Sequence, residues 1–316
     1  MTLTRTLALL AILGGVLIGL AGLSDNAVLT PEPSQPDVPR LIRRSNEALV
    51  VTAEAVLIQR LQNEEVLYER NADASLPMAS LTKLMAALLF SEAADPIEPV
   101  LFSADAKRAG QPDDKRSSVP AGEQLKAEDV LALMLSASDS DAAFAAAEHV
   151  AQRRQPELET APFGERIEKF MERMNRRAEE IGLAGTHYGN PSGSEGAENV
   201  STARDLARLS GYIMRARPEL WTSSRLREGF AFGAGGQRYS FVNTNPLLGE
   251  FPVIYGSKTG LNNDAKGALL MVYRLAPDEP IAIVLLRSGD RFGDGRAAIR
   301  WLESNFMLES PYHAGQ

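Results

Sequence analysis

Residues 253–287 read VIYGSKTGLNNDAKGALLMVYRLAPDEPIAIVLLR. Three β-rich runs, Val253–Ser257, Lys266–Arg274 and Ile281–Arg287, are separated by polar or Pro/Asp-containing turns. Working outward, the other end of the chain offers partners. Ala48–Gln59 (ALVVTAEAVLIQ) and Glu65–Arg70 (EVLYER) flank a polar turn at Gln62–Glu64 and read as a hairpin. Between these ends the period changes to helical. Ser80–Ala93, Ala127–Ala137 and Ala142–Arg153 are Ala/Leu-rich, and Phe163–Ile181 carries an apolar stripe through Ile167, Phe170, Met171, Met174 and Ala178. Thr202 with Asp205 reads as a cap and an N3 acid opening a helix through Met214; a last helix runs from about Asp294 to Phe306. Gln237–Val242 is a further strand. The expected fold is α+β: an antiparallel sheet of about five strands from both chain ends, flanked by helices, with a helical subdomain between them.

Composition narrows the function. The 316 residues carry 33 Lys+Arg against 41 Asp+Glu, a formal charge of −8, which is a poor surface for binding nucleic acid. There are no cysteines, so disulfides, thiolate zinc sites and iron–sulfur clusters are excluded. The three histidines, His149, His187 and His313, would all be needed for one zinc site; no metal and no cofactor is expected. At the N-terminus, Arg5 precedes an uncharged apolar run, Leu7–Leu23. Residues 1–23 read as a signal peptide or an N-terminal anchor, so the chain is expected to be exported to the periplasm or the outer face of the cytoplasmic membrane. Membrane contact is expected only through residues 7–23, if uncleaved. Residues 24–46 hold Pro31, Pro33, Pro36 and Pro39 and read as a stiff linker. The folded domain is then 47–308, and 309–316 a tail.

Two short motifs carry chemistry. Ser80-Leu81-Thr82-Lys83 opens a helix, and three residues apart on a helix is one face, one turn along. A lysine amine there reaches the serine hydroxyl, and the helix N-terminus favours charge developing on its oxygen. About one Ser-x-x-Lys arises by chance in a chain of this size, and its bland reading is a lysine on a surface helix. Lys258-Thr259-Gly260 is rarer and closes a strand; Lys and Thr can receive a carboxylate, and Gly lets substrate lie on the strand edge. Its bland reading is a strand end with Gly260 at positive φ.

Together these resemble the penicillin-recognising serine enzymes, whose set is S-x-x-K, S-x-N and K-T-G. Leu76–Met85 (LPMASLTKLM), Asn190-Pro191-Ser192-Gly193, Ser201–Ala207 (STARDLA) and Asn243-Thr244-Asn245 are similar to segments of the low-molecular-mass D-alanyl-D-alanine peptidases, the S11 serine peptidase family. The resemblance covers about residues 47–308. It implies a β-lactamase/transpeptidase-like fold and acyl transfer from D-alanyl-D-alanine stem peptides of peptidoglycan. Ser80 would be the nucleophile and Lys83 its base, with Ser138 relaying a proton. Lys258 and Thr259 of Lys258-Thr259-Gly260 would hold the substrate carboxylate, and the N–H groups of Ser80 and Leu261 would form the oxyanion hole. β-Lactam antibiotics would acylate the same serine. The middle motif departs from the pattern: Ser138-Asp139-Ser140 places a hydroxyl where the family has a carboxamide, which offers fewer donors at shorter reach. The implied activity is carboxypeptidase. Endopeptidase action on crosslinks, and a catalytically impaired peptidoglycan-binding homologue, stay open as alternatives. A class A β-lactamase would need a deacylating glutamate, and no Glu-x-x-Leu-Asn lies between Ser140 and Lys258. His187, in Thr186-His187-Tyr188, reads as a packed or surface residue rather than part of a triad.

Overall fold

The longest β-rich runs of the sequence lie side by side. In the computed structural model, which describes residues 40–196, 198–276 and 278–309, the chain enters on β1 (Arg40–Arg43), β2 (Ala55–Arg60) and β3 (Val66–Arg70). Helices α1 (Lys83–Ser91), α2 (Ala127–Ala132), α3 (Ser140–Arg154), α4 (Phe163–Ile181) and α5 (Ala203–Ala216) follow. A hairpin of β4 (Glu228–Phe232) and β5 (Arg238–Val242) leads to β6 (Ile254–Asn262), β7 (Lys266–Ala276) and β8 (Glu279–Ser288). Helix α6 (Arg291–Asn305) and β9 (Phe306–Glu309) complete it.

The central sheet has five antiparallel strands in the order β6-β7-β8-β2-β3, so strands from the two chain ends meet at β8 and β2, as expected. Successive side chains on a strand point to opposite faces, and both faces here are covered. Leu57, Leu270, Val284 and Leu286 pack under the helices, whereas Ile58, Met271, Ile283 and Leu285 pack against α6. A strand buried on both faces has no polar side, which is why Ile281–Leu286 reads as an unbroken apolar run. Helix α4 has the bounds its stripe predicts and buries Phe170, Met174 and Ala178. Thr202 caps α5, its hydroxyl accepting from Asp205 N at 3.0 Å.

Several boundaries differ from the sequence reading. Arg40–Arg43, assigned to the linker, is a strand that pairs antiparallel with Phe306–Glu309, assigned partly to the tail. Neither four-residue strand is long enough to show alternation by itself. The first half of Ala48–Gln59 is not strand. The Thr52 and Ala53 N–H groups, which a ladder would use, donate to the Asp294 carboxylate at 2.8 Å each. Gln237–Val242 pairs with Glu228–Phe232 as a separate hairpin outside the central sheet. β6 does not close at Ser257: it carries Lys258-Thr259-Gly260 within it and runs to Asn262 along the sheet edge. Residues 1–39, with the apolar run and the prolines, lie outside the described residues.

Candidate active site

Ser80 lies on a 3₁₀ turn, Ala79–Thr82, that feeds directly into α1. Ala79 before it has φ +47°, a left-handed conformation that costs a residue with a Cβ and persists only where the surroundings impose it. Gly193 helps impose it: a Cβ there would lie 2.0 Å from the Ala79 carbonyl oxygen, so the 189–193 backbone presses on the nucleophile turn. Lys83, one turn on, is fully buried. Its Nζ meets Ser80 Oγ at 3.0 Å, Ser140 Oγ at 3.2 Å and the Ser192 carbonyl at 2.6 Å. Three acceptors satisfy an ammonium, which has three N–H donors. Burial nevertheless lowers the Lys83 pKa to about 8, against the opposing charges of Asp114 and Asp139. Near neutrality the group therefore reaches its neutral, basic form far more readily than a solvated lysine.

The second hydroxyl comes from a break in the helix. α2 ends in a wide turn, Leu133–Ala137, and Ser138 is left-handed at φ +62°. Asp139 then restarts the chain as the N-cap of α3, accepting from Ala142 N at 3.0 Å. Between them this break presents Ser138 and Ser140 to two different lysines. Lys258 Nζ donates to Ser138 Oγ at 2.7 Å and to the Thr259 carbonyl at 3.0 Å. Burial, then the charges of Lys83 and Arg291, hold Lys258 well below an ordinary lysine.

A cleft of about 760 Å³ opens over this constellation, and Ser80, Ser138, Thr259 and Leu261 reach it. Lys258 does not. It is 1% exposed, and it faces the cleft only through Ser138, whereas the sequence reading puts it on the substrate carboxylate. Gly260 differs too: it lies in the strand rather than at a positive-φ turn. A Cβ there would meet the Met78 carbonyl at 2.9 Å and the Ala79 Cβ at 3.1 Å, so glycine is what lets β6 approach the nucleophile turn.

Sequence reasoning missed four contributors. The Ser192 carbonyl holds Lys83; the Asn190-Pro191-Ser192-Gly193 run signalled the segment but not a main-chain acceptor. The Thr244 hydroxyl lies 2.6 Å from that of Thr259 and lines the cleft beside it. Arg291, at the start of α6, brings a guanidinium to the same wall; its Nε is buried without a hydrogen-bond partner, and desolvation lowers its pKa. Asp114 reaches the cleft from the 110–118 loop. Ser192 and Thr244 lie in the family-like Asn190–Gly193 and Asn243–Asn245 segments, which did not give their roles; Arg291 and Asp114 were marked by no motif.

With this geometry in view, comparison with known proteins is decisive. The family described as D-alanyl-D-alanine carboxypeptidase, peptidase S11, matches residues 43–287. The chain belongs to the S11 peptidase family. It is thus a serine-type D-alanyl-D-alanine peptidase, and Ser80, Lys83 and Lys258-Thr259-Gly260 fall within the matched span. A D-alanyl-D-alanine endopeptidase of Pseudomonas aeruginosa is 31% identical over 81% of this chain and 79% of its own length. The D-alanyl-D-alanine carboxypeptidase DacF of Bacillus subtilis is 28% identical over 77% of this chain, and the match spans 59% of that protein. The crystal structure of the Streptomyces K15 DD-transpeptidase superposes with a TM-score of 0.71 at 21% identity, covering 81% of this chain and 98% of that one. At that identity the likeness speaks for the fold.

Proposed function

We propose that this S11 peptidase hydrolyses D-alanyl-D-alanine bonds of peptidoglycan stem peptides through an acyl-enzyme on Ser80, outside the cytoplasm. The observation that carries the reading is the Lys83 amine, fully buried, poised near pKa 8 and 3.0 Å from the Ser80 hydroxyl. Ser80 Oγ attacks the scissile carbonyl carbon, and its proton passes to Lys83 Nζ. The N–H groups of Ser80 and Leu261 receive the oxyanion. Ser138 hands its proton to the departing amine as the C–N bond breaks and is reprotonated by Lys258 Nζ, which donates to it at 2.7 Å. The substrate carboxylate rests on Thr259 and Thr244 with Arg291 beside them. Water then attacks the ester, its proton passing through Ser138 to Lys258, and Lys83 returns its proton to Ser80 Oγ as the C–O bond breaks. A β-lactam enters by the same first step and leaves slowly.

Cleavage of crosslinks is the second reading, and the P. aeruginosa endopeptidase, at 31% identity, favours it. The impaired-homologue reading is weakened by Ser140, whose hydroxyl occupies the acceptor position on Lys83. The test is the intact mass of the protein after incubation with a penicillin, beside Ser80→Ala. A gain of one drug molecule, absent in the variant, is expected; no gain in folded protein would overturn the reading. Crosslinked and uncrosslinked muropeptides offered in parallel then separate endopeptidase from carboxypeptidase.

A further inference from the structure

The mechanism above leaves Asp114 without a task. Its Oδ2 accepts from Gln111 N at 2.9 Å within its own loop, and from Ser194 Oγ at 2.6 Å across the cleft. With its O–H directed at Asp114, Ser194 Oγ is left to accept from Ser192 Oγ at 2.5 Å. Ser192 and Ser194 are both buried. The Ser192 carbonyl, in turn, makes the shortest contact of the Lys83 amine. A carboxylate on one wall is therefore tied, through two hydroxyls on the other, to the residue that holds the general base.

The tie has a definite place along the cleft. Thr259 marks the carboxylate end of β6. Asn262 and Asn263 lie about 10 Å or more farther along, at about 3.3 Å per residue, on the acyl-donor side. Asn262 Nδ2 donates to the Gly193 carbonyl at 3.4 Å and Asn263 Nδ2 to Glu195 Oε2 at 3.0 Å. Ser194 sits between those two contacts, so its bond to Asp114 crosses the donor end. The root of the 110–118 loop is fixed independently. The Asp141 carboxylate accepts from Lys107 and Arg116, Asp139 accepts from Ser117 N at 2.8 Å, and Ser140 N donates to the Lys115 carbonyl at 2.8 Å. Only the tip hangs on the Asp114–Ser194 bond.

We propose that Asp114 and Ser194 form a latch across the acyl-donor end of the cleft, limiting the width of the donor and, through Ser192, positioning Lys83. This rests on the acyl-enzyme reading. The charged groups acting on Lys83 are Asp114 on the loop and Asp139 at the head of α3, with Lys258 on β6 beside it, while the neighbouring Asp141 is engaged by Lys107 and Arg116. Lys115, Asp113 and Glu195 stand farther out on the rim, and Arg291 acts on Lys258. Of these, Asp114 is the leading charge that opposes the effect of burial on Lys83.

Two substitutions separate the two functions of the latch. Asp114→Asn keeps an oxygen for Ser194 and removes the charge. The acid limb of kcat/KM should then move to lower pH by about half a unit, because Lys83 loses a stabiliser of its protonated form. Ser194→Ala opens the latch and keeps the charge. A peptide substrate with a bulky acyl donor should gain at least about threefold in kcat/KM over one with an acetylated minimal donor, with the acid limb unmoved. A thermal melt of each variant reports folding, and its penicillin mass gain reports Ser80 chemistry. Variants that acylate with an unmoved acid limb in Asp114→Asn, or unchanged donor preference in Ser194→Ala, would overturn the latch. Absence of acylation in the unmodified protein would overturn the acyl-enzyme reading, and the latch with it.

Discussion

Ser140 is where this chain leaves its family's pattern, and its contact with Lys83 at 3.2 Å defines what the substitution must do. A hydroxyl there can accept from the amine but cannot extend a carboxamide into the cleft. Ser140→Ala should slow acylation about tenfold, the worth of one hydrogen bond to a partly charged amine. Ser140→Asn should keep the unmodified rate or exceed it. Penicillin acylation followed by mass against time checks both, and an equal loss in the two variants would show that Ser140 serves packing alone. Gly193 gives a second prediction. At φ +78°, with a Cβ position 2.0 Å from the Ala79 carbonyl, alanine must displace the nucleophile turn. Gly193→Ala should cost at least about 2 kcal/mol in urea unfolding and most of the acylation rate. At this scale Ser80, Lys83 and Lys258-Thr259-Gly260 were legible because their spacing is local: three residues bring two side chains onto one helix face. The segments of Ser192 and Thr244 were legible but their roles were not, one of them contributing only main chain, and Arg291 and Asp114 left no signal, since each arrives alone from a distant segment.

The 110–118 loop owes its place to α3 rather than to its own composition. Asp141, wholly buried at the head of α3, takes both Lys107 and Arg116. Asp141→Asn should leave those two cations with a weaker partner, lowering stability by at least about 2 kcal/mol and raising KM more than it lowers kcat, because the loop lines the cleft without touching the reacting atoms. Chemical denaturation together with steady-state kinetics checks this; unchanged KM in a destabilised variant would confine Asp141 to a structural role. The same scale explains which elements could be read. The α4 stripe and the Thr202 cap are periodic or local signals: the stripe gave both bounds of α4, and the cap gave the start of α5, which runs two residues past the expected Met214 to Ala216. Residues 48–54 carry as much β-propensity as the strand after them, but the Thr52 and Ala53 N–H groups are taken by the Asp294 side chain, a partner some 240 residues away in sequence that no local pattern announces. The β4–β5 hairpin was half seen: alternation marks Arg238–Val242 as a strand but does not say which sheet it joins.

The molecule as a whole holds two lysines in its interior beneath an acidic surface, and that arrangement has a thermodynamic signature. An unfolded lysine titrates near its ordinary value of 10.5, whereas folded Lys83 titrates near 8 and Lys258 is also lowered. Between those values the unfolded chain binds more protons than the folded one, so stability must rise with pH across the interval. Near pH 10 the buried Tyr273 begins to act in the opposite sense. Its folded pKa is raised by burial and by its hydrogen bond to Glu303, so the unfolded chain loses that proton first and folding loses stability. The melting temperature should therefore climb from pH 8 to a maximum near pH 10 and then fall. Lys83→Met removes one of the two groups responsible and should flatten the climb by about half while abolishing acylation. A melting temperature that is level from pH 8 to 10 in the unmodified protein would mean that Lys83 and Lys258 keep ordinary pKa values, and would remove the poised base on which the proposed mechanism depends.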